Sequence, residues 1–282
     1  MAKKKNGNGN TAVATKDETG LAEFSYGEGP TGYENQTAED QSIPLIVVLQ
    51  DNSPQGKKSN AKYVAGAQAG ALFNIATEDC VDGDEGLLFV AALTQHQFVE
   101  FRPRDSGGGF VGFHGTTDPI VVAAKSRSTQ FGKYTTEAGN ELVETFSIYA
   151  VLCDQDQTPL GFAVIPCSSM KIKPYKSWNN RVRSVAVNKK AVPLMANLCR
   201  LRTVADKNSK GEFFNIRIDH AADGDKFASL IDPNGELFAA AVQFHELIQS
   251  GQRQAMAPPD ANSGGDSGPD DPGTGDDGDA PF

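Results

Sequence analysis

The side chains best suited to chemistry lie in one stretch of the chain, residues 157–205, which contains no acidic residue. Nine of its 49 residues are basic, although the whole chain has a formal net charge of −10. Tyr175 and Trp178, the only tryptophan, lie among them. Basic groups bind phosphates and aromatic faces stack on unpaired bases, so the stretch predicts a nucleic-acid surface. The basic residues are Lys171, Lys173, Lys176, Arg181, Arg183, Lys189, Lys190, Arg200 and Arg202.

A second, smaller acid-free stretch contributes Lys125, Arg127 and Tyr134, which we assign to the same predicted surface. The competing interpretation is that Trp178 is a core residue and that the lysines form an ordinary solvated face. Proximity in sequence does not decide whether these side chains share one face of the fold.

Motifs for catalysis are missing from the sequence. The glycine-rich segment at residues 101–110 has no following Gly-Lys-Ser/Thr, so it is not a phosphate-binding P-loop; we expect a flexible hairpin tip there. There is no Gly-x-Ser-x-Gly and no His-Glu-x-x-His motif. The sequence therefore predicts a protein that is not an enzyme and has no cofactor.

The four cysteines and four histidines are scattered, with no Cys-x-x-Cys pair. Structural zinc sites need closely spaced ligands, so we expect no metal. Isolated cysteines of this kind are typical of small buried side chains in a reducing compartment.

The last 23 residues, 260–282, form a different kind of segment. They hold seven Asp, six Gly and three Pro and no basic residue, which predicts an extended, disordered tail. The only large apolar side chain there is the C-terminal Phe282. A terminal phenylalanine can enter an apolar pocket while its carboxylate and the upstream Asp residues meet a basic rim. The residues assigned to this partner-binding tip are Asp276, Asp277, Asp279, Ala280, Pro281 and Phe282.

This ending resembles the acidic tip of bacterial and phage single-stranded DNA-binding proteins, which finish in an Asp run, a small or aliphatic residue, Pro and Phe. The resemblance covers the last seven residues. It implies sequence-nonspecific binding and protection of single-stranded DNA during phage DNA replication, recombination or repair. It also implies that the tip recruits replication or recombination proteins.

Composition divides the chain into three parts. We expect a disordered segment at residues 1–40, a β-rich nucleic-acid-binding domain at residues 41–250, and the acidic tail at residues 251–282. The tail from residue 260 carries −7 of the net charge of −10, so the rest of the chain is nearly neutral. No run of 18 apolar residues occurs, which predicts a protein without a membrane span, located in the cytoplasm, and in the host cytoplasm if it is phage-encoded.

Many short apolar runs separated by turn residues predict a mostly β, α+β fold with antiparallel pairing. We expect hairpins from residues 142–152 and 160–165, and from 194–204 and 212–218. Residues 87–93 and 99–102 are predicted as a strand pair, residues 105–115 as a loop and residues 120–123 as a strand. A C-terminal helix is predicted to begin with Asp232 as cap and Pro233 at its first position. A weaker helix is predicted from residue 168 or 169 to Arg183.

The form of the β domain is taken from the resemblance, which implies an elaborated OB-like antiparallel barrel. Two other interpretations of function remain open: a recombination mediator or strand-annealing protein, and a phage structural or adaptor protein with a solubilising tail. The sequence leaves open whether the protein forms a homo-oligomer.

Overall fold

The structure is a computed structural model that describes residues 42–209, 211–251 and 255–258. The predicted segment at residues 1–40 and the acidic tip lie outside these residues. The start of the predicted tail does not, because Ala255 forms a parallel bridge with Ile43 and packs with Met256 on the core of the C-terminal helix, so the prediction of a disordered segment from residue 251 was wrong there. The α-helices among the described residues are α1 (Pro119–Arg127), α2 (Ile172–Arg183) and α3 (Glu236–Gln249). The strands are β1 (Ile46–Val48), β2 (Leu72–Asn74), β3 (Cys80–Val81), β4 (Leu87–Phe101), β5 (Phe110–Gly115), β6 (Tyr134–Thr135), β7 (Glu141–Cys153), β8 (Pro159–Ser168), β9 (Ala186–Val187), β10 (Lys190–Ala191), β11 (Leu198–Asn208) and β12 (Gly211–His220).

One antiparallel sheet of seven strands organises the domain, which confirms the mostly β prediction. Strands β4, β7 and β8 lie side by side, and β11 returns after α2 to pair with β4. This is the Greek-key order, in which the fourth strand lies beside the first. Strand β12 pairs with β11 at the outer edge. The ladders of the described residues do not close into a barrel.

Strands β4 and β7 are long because each pairs with two different strands in succession along one of its edges. One edge of β4 pairs first with β11, through Leu198↔Val90, and later with β5, through Gln97↔Gly115. One edge of β7 likewise pairs with β6 near its start and with β8 further on. Residues 87–101 are therefore one strand, and the prediction of a strand pair was wrong. The predicted loop at residues 105–115 includes β5, so that prediction was wrong as well.

Both faces of the sheet are buried, which explains the continuous apolar run at the start of β4. Successive strand residues point to opposite faces. Phe89 and Ala91 pack in a core with α2, whereas Leu88 and Val90 pack in a second core with α3. A third, smaller core lies between α1 and the far ends of β4 and β7.

The segment around β1 links the two outer edges of the sheet. Leu45 forms an isolated parallel bridge with Val164 of β8. At the other end of this segment, the Gln50 side chain donates to the carbonyl of Phe214 on β12 and accepts from its N–H, both at 2.8 Å. Isolated contacts of this kind, rather than a ladder, connect β8 to β12.

The helices differ from the prediction in three ways. Residues 120–123 lie in α1 and not in a strand, because Asp118 caps the Ile120 N–H at 3.0 Å and Pro119 occupies the first turn. The C-terminal helix starts four residues after Asp232, since Asp232 instead accepts the N–H of Asn234 in a preceding turn. Helix α2 ends at Arg183 as predicted but begins at Ile172 rather than at residue 168 or 169, and Pro174 lies in its first turn, where it is tolerated.

Candidate nucleic-acid interface

Four arginines lie on or beside the β11–β12 hairpin, and we call them the arginine cluster: Arg181, Arg200, Arg202 and Arg217. In the ladder, Arg200 lies opposite Asp219 and Arg202 lies opposite Arg217. The intervening Leu201 and Ile218 point into the core, so these charged residues point away from it.

Helix α2 adds the fourth arginine. Arg181 donates to the carbonyl of Ile218 on the outer strand and lies 3.4 Å from the Asp219 carboxylate. Arg217 lies 2.5 Å from the other oxygen of the same carboxylate. Two guanidinium groups therefore share the Asp219 carboxylate, and with Arg200 and Arg202 on the paired strand the four arginines outnumber this one acid.

The cluster has incomplete internal pairing. Like charges directly opposite each other across a ladder, such as Arg202 and Arg217, are destabilising. The buried Nε atoms of Arg200 and Arg202 have no hydrogen-bond partner among the described residues. Arg200 does donate from Nη1 to the carbonyl of Glu85, at 3.1 Å. An anion such as a phosphate would relieve the repulsion and accept from the exposed guanidinium groups.

A basic and aromatic pair flanks this surface after β12. Phe227 is 54% exposed, and the Lys226 ammonium lies 5.1 Å from the centre of its ring. The neighbouring His220 is buried, which lowers its pKa, and the charges of Arg181 and Lys226 lower it further. His220 is therefore neutral near physiological pH, and the positive charge here comes from the arginines and Lys226.

Tyr175 and Trp178 do not fit the predicted base-stacking role. Trp178 is 1% exposed and Tyr175 is 5% exposed, because both fill the core between α2 and the sheet. The indole N–H donates to the Sγ of Cys199 at 3.3 Å. Their rings are covered on both sides by protein, so they cannot stack on a base in this conformation. Lys171, which precedes α2, is also buried.

The other basic residues of residues 157–205 are exposed. Lys173, Lys176 and Arg183 project from α2, Lys189 lies in the β9–β10 turn, and Lys190 begins β10. Those on α2 lie on the side of the sheet that α2 covers, whereas Arg200, Arg202 and Arg217 point away from that side.

The second predicted group lies at the far end of the sheet. The Lys125 ammonium on α1 lies 4.3 Å from the ring centre of Phe98 and 6.0 Å from that of Tyr134. Arg127 is paired with Glu137 at 2.7 Å, which reduces its ability to bind another anion. Tyr134 is half-buried against the α1 core. This group is separate from the arginine cluster.

Sequence reasoning missed Arg217, which lies outside the acid-free stretch. The available signal was the alternation of Arg217 and Asp219 with the core residues Ile216 and Ile218. The glycine-rich segment is the tip of the β4–β5 hairpin, as predicted.

The thiols of the described residues are free, and no group of three metal-ligating side chains occurs among them. Burial raises the pKa of Cys153 and of Cys199 to about 12, so both remain thiols. Low reactivity is expected of such cysteines.

The fold and the surface together describe a mostly β, antiparallel protein with a local arginine-rich site. The chain belongs to the Pam3 phage gp34-like protein family, whose model matches residues 14–254. The matched residues include the whole arginine cluster and exclude residues 255–282. No curated protein and no solved structure matches the chain. Within the described residues, no helix is long and apolar enough to span a membrane.

Proposed function

We propose that this protein binds single-stranded DNA without sequence preference and protects it during phage DNA replication, recombination or repair. The observation that carries the proposal is the arginine cluster, in which Arg181 and Arg217 share the Asp219 carboxylate while Arg200 and Arg202 lie on the paired strand. Such a surface binds phosphates without reading bases. The proposed site of action is the host cytoplasm.

The strand order supports this proposal. OB folds, which bind oligonucleotides, are five-stranded, partly open Greek-key barrels. Strands β4, β7, β8, β11 and β12 form a Greek key with β12 added beside β11, and α2 lies between β8 and β11. The link from β8 to β12 through the β1 segment is consistent with a partly open, OB-like arrangement. Arg200, Arg202 and Arg217 point away from the core that α2 fills, and Arg181 reaches Asp219 on the outer strand, so we place DNA along the β11–β12 hairpin.

The acidic tail completes the proposal as a partner-binding element. Its Phe282 and C-terminal carboxylate are suited to an apolar pocket with a basic rim on a replication or recombination protein. The same negative charge can compete with DNA for the arginine cluster in the free protein.

The first experiment compares DNA binding by the full chain and by the double variant Arg202→Ala/Arg217→Ala. Fluorescence anisotropy with a labelled single strand is measured over a salt series. Each phosphate contact contributes a slope of about 0.7 log unit of affinity per log unit of salt. We expect the double variant to bind more weakly. Its salt slope should be smaller by about 1.4, because two phosphate contacts of about 0.7 each are lost. The matched control is Lys57→Ala/Lys58→Ala, which removes two exposed charges from a different loop and should leave the slope unchanged.

Equal slopes for the full chain and the arginine variant would contradict the assignment of the cluster as the DNA site. Salt-independent or undetectable binding by all proteins would favour a structural or adaptor role. Rapid pairing of complementary strands, with large ring or filament assemblies, would instead indicate a strand-annealing protein.

The tail is tested by a chain truncated after Pro259. Removing the charge of −7 should tighten DNA binding at low salt and have little effect at high salt, because salt screens the competition. Unchanged or weaker binding at low salt would contradict competition by the tail.

A further inference from the structure

A row of stacked aromatic rings crosses the sheet beside α2, and we call it the His96 stack: His96, Phe146 and Tyr175. His96 on β4 and Phe146 on β7 are direct cross-strand partners. Their rings are parallel, with centres 4.1 Å apart and planes at 15°. Tyr175 covers the other side of Phe146, with ring centres 4.8 Å apart. Only the His96 end of this row reaches solvent, with 37% of the side chain exposed.

The exposed ring face of His96 looks toward an interruption in the sheet. On the edge of β4 away from β7, pairing with β11 ends at Val90 and pairing with β5 begins at Gln97. Residues 91–96 therefore have no ladder partner on that edge among the described residues. The short helical turn Leu194–Ala196 packs against β4, but it does not pair with it. Because Phe146 covers the His96 ring on the β7 side, the opposite ring face is turned toward this edge.

Charged groups around the stack suit a nucleotide. The carboxylate of Glu144 lies 2.8 Å from Nε2 of His96 and fixes the orientation of the ring. The Lys176 ammonium lies 5.4 Å from the ring centre of Phe146, and Lys125 lies 4.3 Å from that of Phe98 on the same sheet face. Both lysines are exposed, so a phosphate on either side of a stacked base has a cation within reach.

We infer that His96 is a stacking platform for one unpaired nucleobase of the bound strand. The base extends the row of rings by one member on the open face of His96, while Lys125 and Lys176 contact the backbone on either side. Histidine rings are among the side chains on which unpaired bases stack. A paired base in a duplex has both faces covered, so the platform selects single strands. This inference depends on the proposed function, and it supplies the aromatic contact that buried Trp178 cannot make.

The test uses the full chain with two single strands of equal length, oligothymidylate and an abasic strand with the same number of phosphates. His96→Ala removes the ring on which the base stacks. This variant should therefore bind oligothymidylate about five- to tenfold more weakly than the unaltered chain does. Binding to the abasic strand and the salt slope should be unchanged. His96→Phe, which keeps an aromatic ring, should restore binding to oligothymidylate. The control is His245→Ala, on α3 at the opposite sheet face, which should match the unaltered chain.

The outcomes separate this inference from the proposed function. The unaltered chain could bind single strands with a steep salt slope while His96→Ala binds oligothymidylate as tightly as the unaltered chain. That result would contradict the stacking role of His96 and leave the proposed function supported. The same conclusion follows if His96→Ala weakens both strands equally, or if His96→Phe is as weak as His96→Ala while its circular dichroism melt is unchanged. If the unaltered chain binds neither strand, both are wrong.

Discussion

Replacing Trp178 with phenylalanine distinguishes a core residue from a DNA contact. The indole is 1% exposed, packs against Phe89 and Tyr175, and donates its N–H to Cys199. Truncating a buried tryptophan to alanine costs about 3–5 kcal/mol of folding stability. Phenylalanine keeps one ring of the two, so we expect Trp178→Phe to lower the free energy of unfolding by about 2 kcal/mol.

The assay is urea unfolding followed by far-ultraviolet circular dichroism, since the substitution removes the only indole. A loss of about 2 kcal/mol corresponds to a lower melting temperature by about 4–8 °C for a domain of this size. Phe227→Ala, at an exposed ring, serves as control and should change stability by less than about 0.5 kcal/mol. DNA affinity of Trp178→Phe, measured at a temperature where it is folded, should stay within about twofold of the unaltered chain.

The reasoning is refuted if Trp178→Phe unfolds at the same urea concentration but binds single-stranded DNA at least about tenfold more weakly. That result would mean that the indole leaves the core to contact bases, and it would restore the interpretation from the sequence.

Two further predictions concern stability. Hydrogen bonds from the Ile120 N–H and the His114 ring lower the pKa of Asp118. The ionised carboxylate therefore stabilises the fold at neutral pH, and this stabilisation is lost as the pH falls through the pKa of the folded state. Asp118→Asn keeps a capping oxygen without the charge, and its melting temperature should therefore fall less on acidification; equal falls would contradict this. An added Cβ at Gly83 would overlap the Thr203 side chain and the Gly70 carbonyl, which are hydrogen-bonded to each other. Gly83→Ala should cost about 2 kcal/mol in urea unfolding, while Gly115→Ala, at an open position, should be neutral; a neutral Gly83→Ala would refute this close packing.

The hairpins were predictable because their signals are local. Alternating apolar residues on both sides of a polar turn specified β7 with β8 and β11 with β12. Strand β4 was not predictable as one element, because Thr94, Gln95 and His96 look like a break in an apolar run. These residues lie where one edge of β4 has no partner, so their polarity reflects exposure to solvent within a continuous strand.

Helix α1 shows how two local signals can compete. Its Ile-Val-Val run favours a strand, but the Asp118 cap and Pro119 determine the helix, and Val121 and Ala124 then pack against Phe98. The capping signal was present in the sequence and should have outweighed β propensity.

The candidate site was predictable only in part. Arg181, Arg200 and Arg202 stood out through the lack of nearby acids, whereas the contact of Arg181 with Asp219 depends on the packing of α2, and the positions of the other two depend on the β11–β12 register. The same packing determines that the ring of Trp178 is buried, which a basic and aromatic composition does not reveal. Long-range contacts of this kind are not encoded in spacing along the chain.

The most direct test of the central claim is the affinity of the unaltered full chain for a labelled single strand and for its duplex, measured over a salt series. The proposed function predicts tighter binding to the single strand and an affinity that falls steeply with salt, at about 0.7 log unit per phosphate contacted. Absence of salt-dependent binding, or equal affinity for both forms, would contradict single-strand binding as the function.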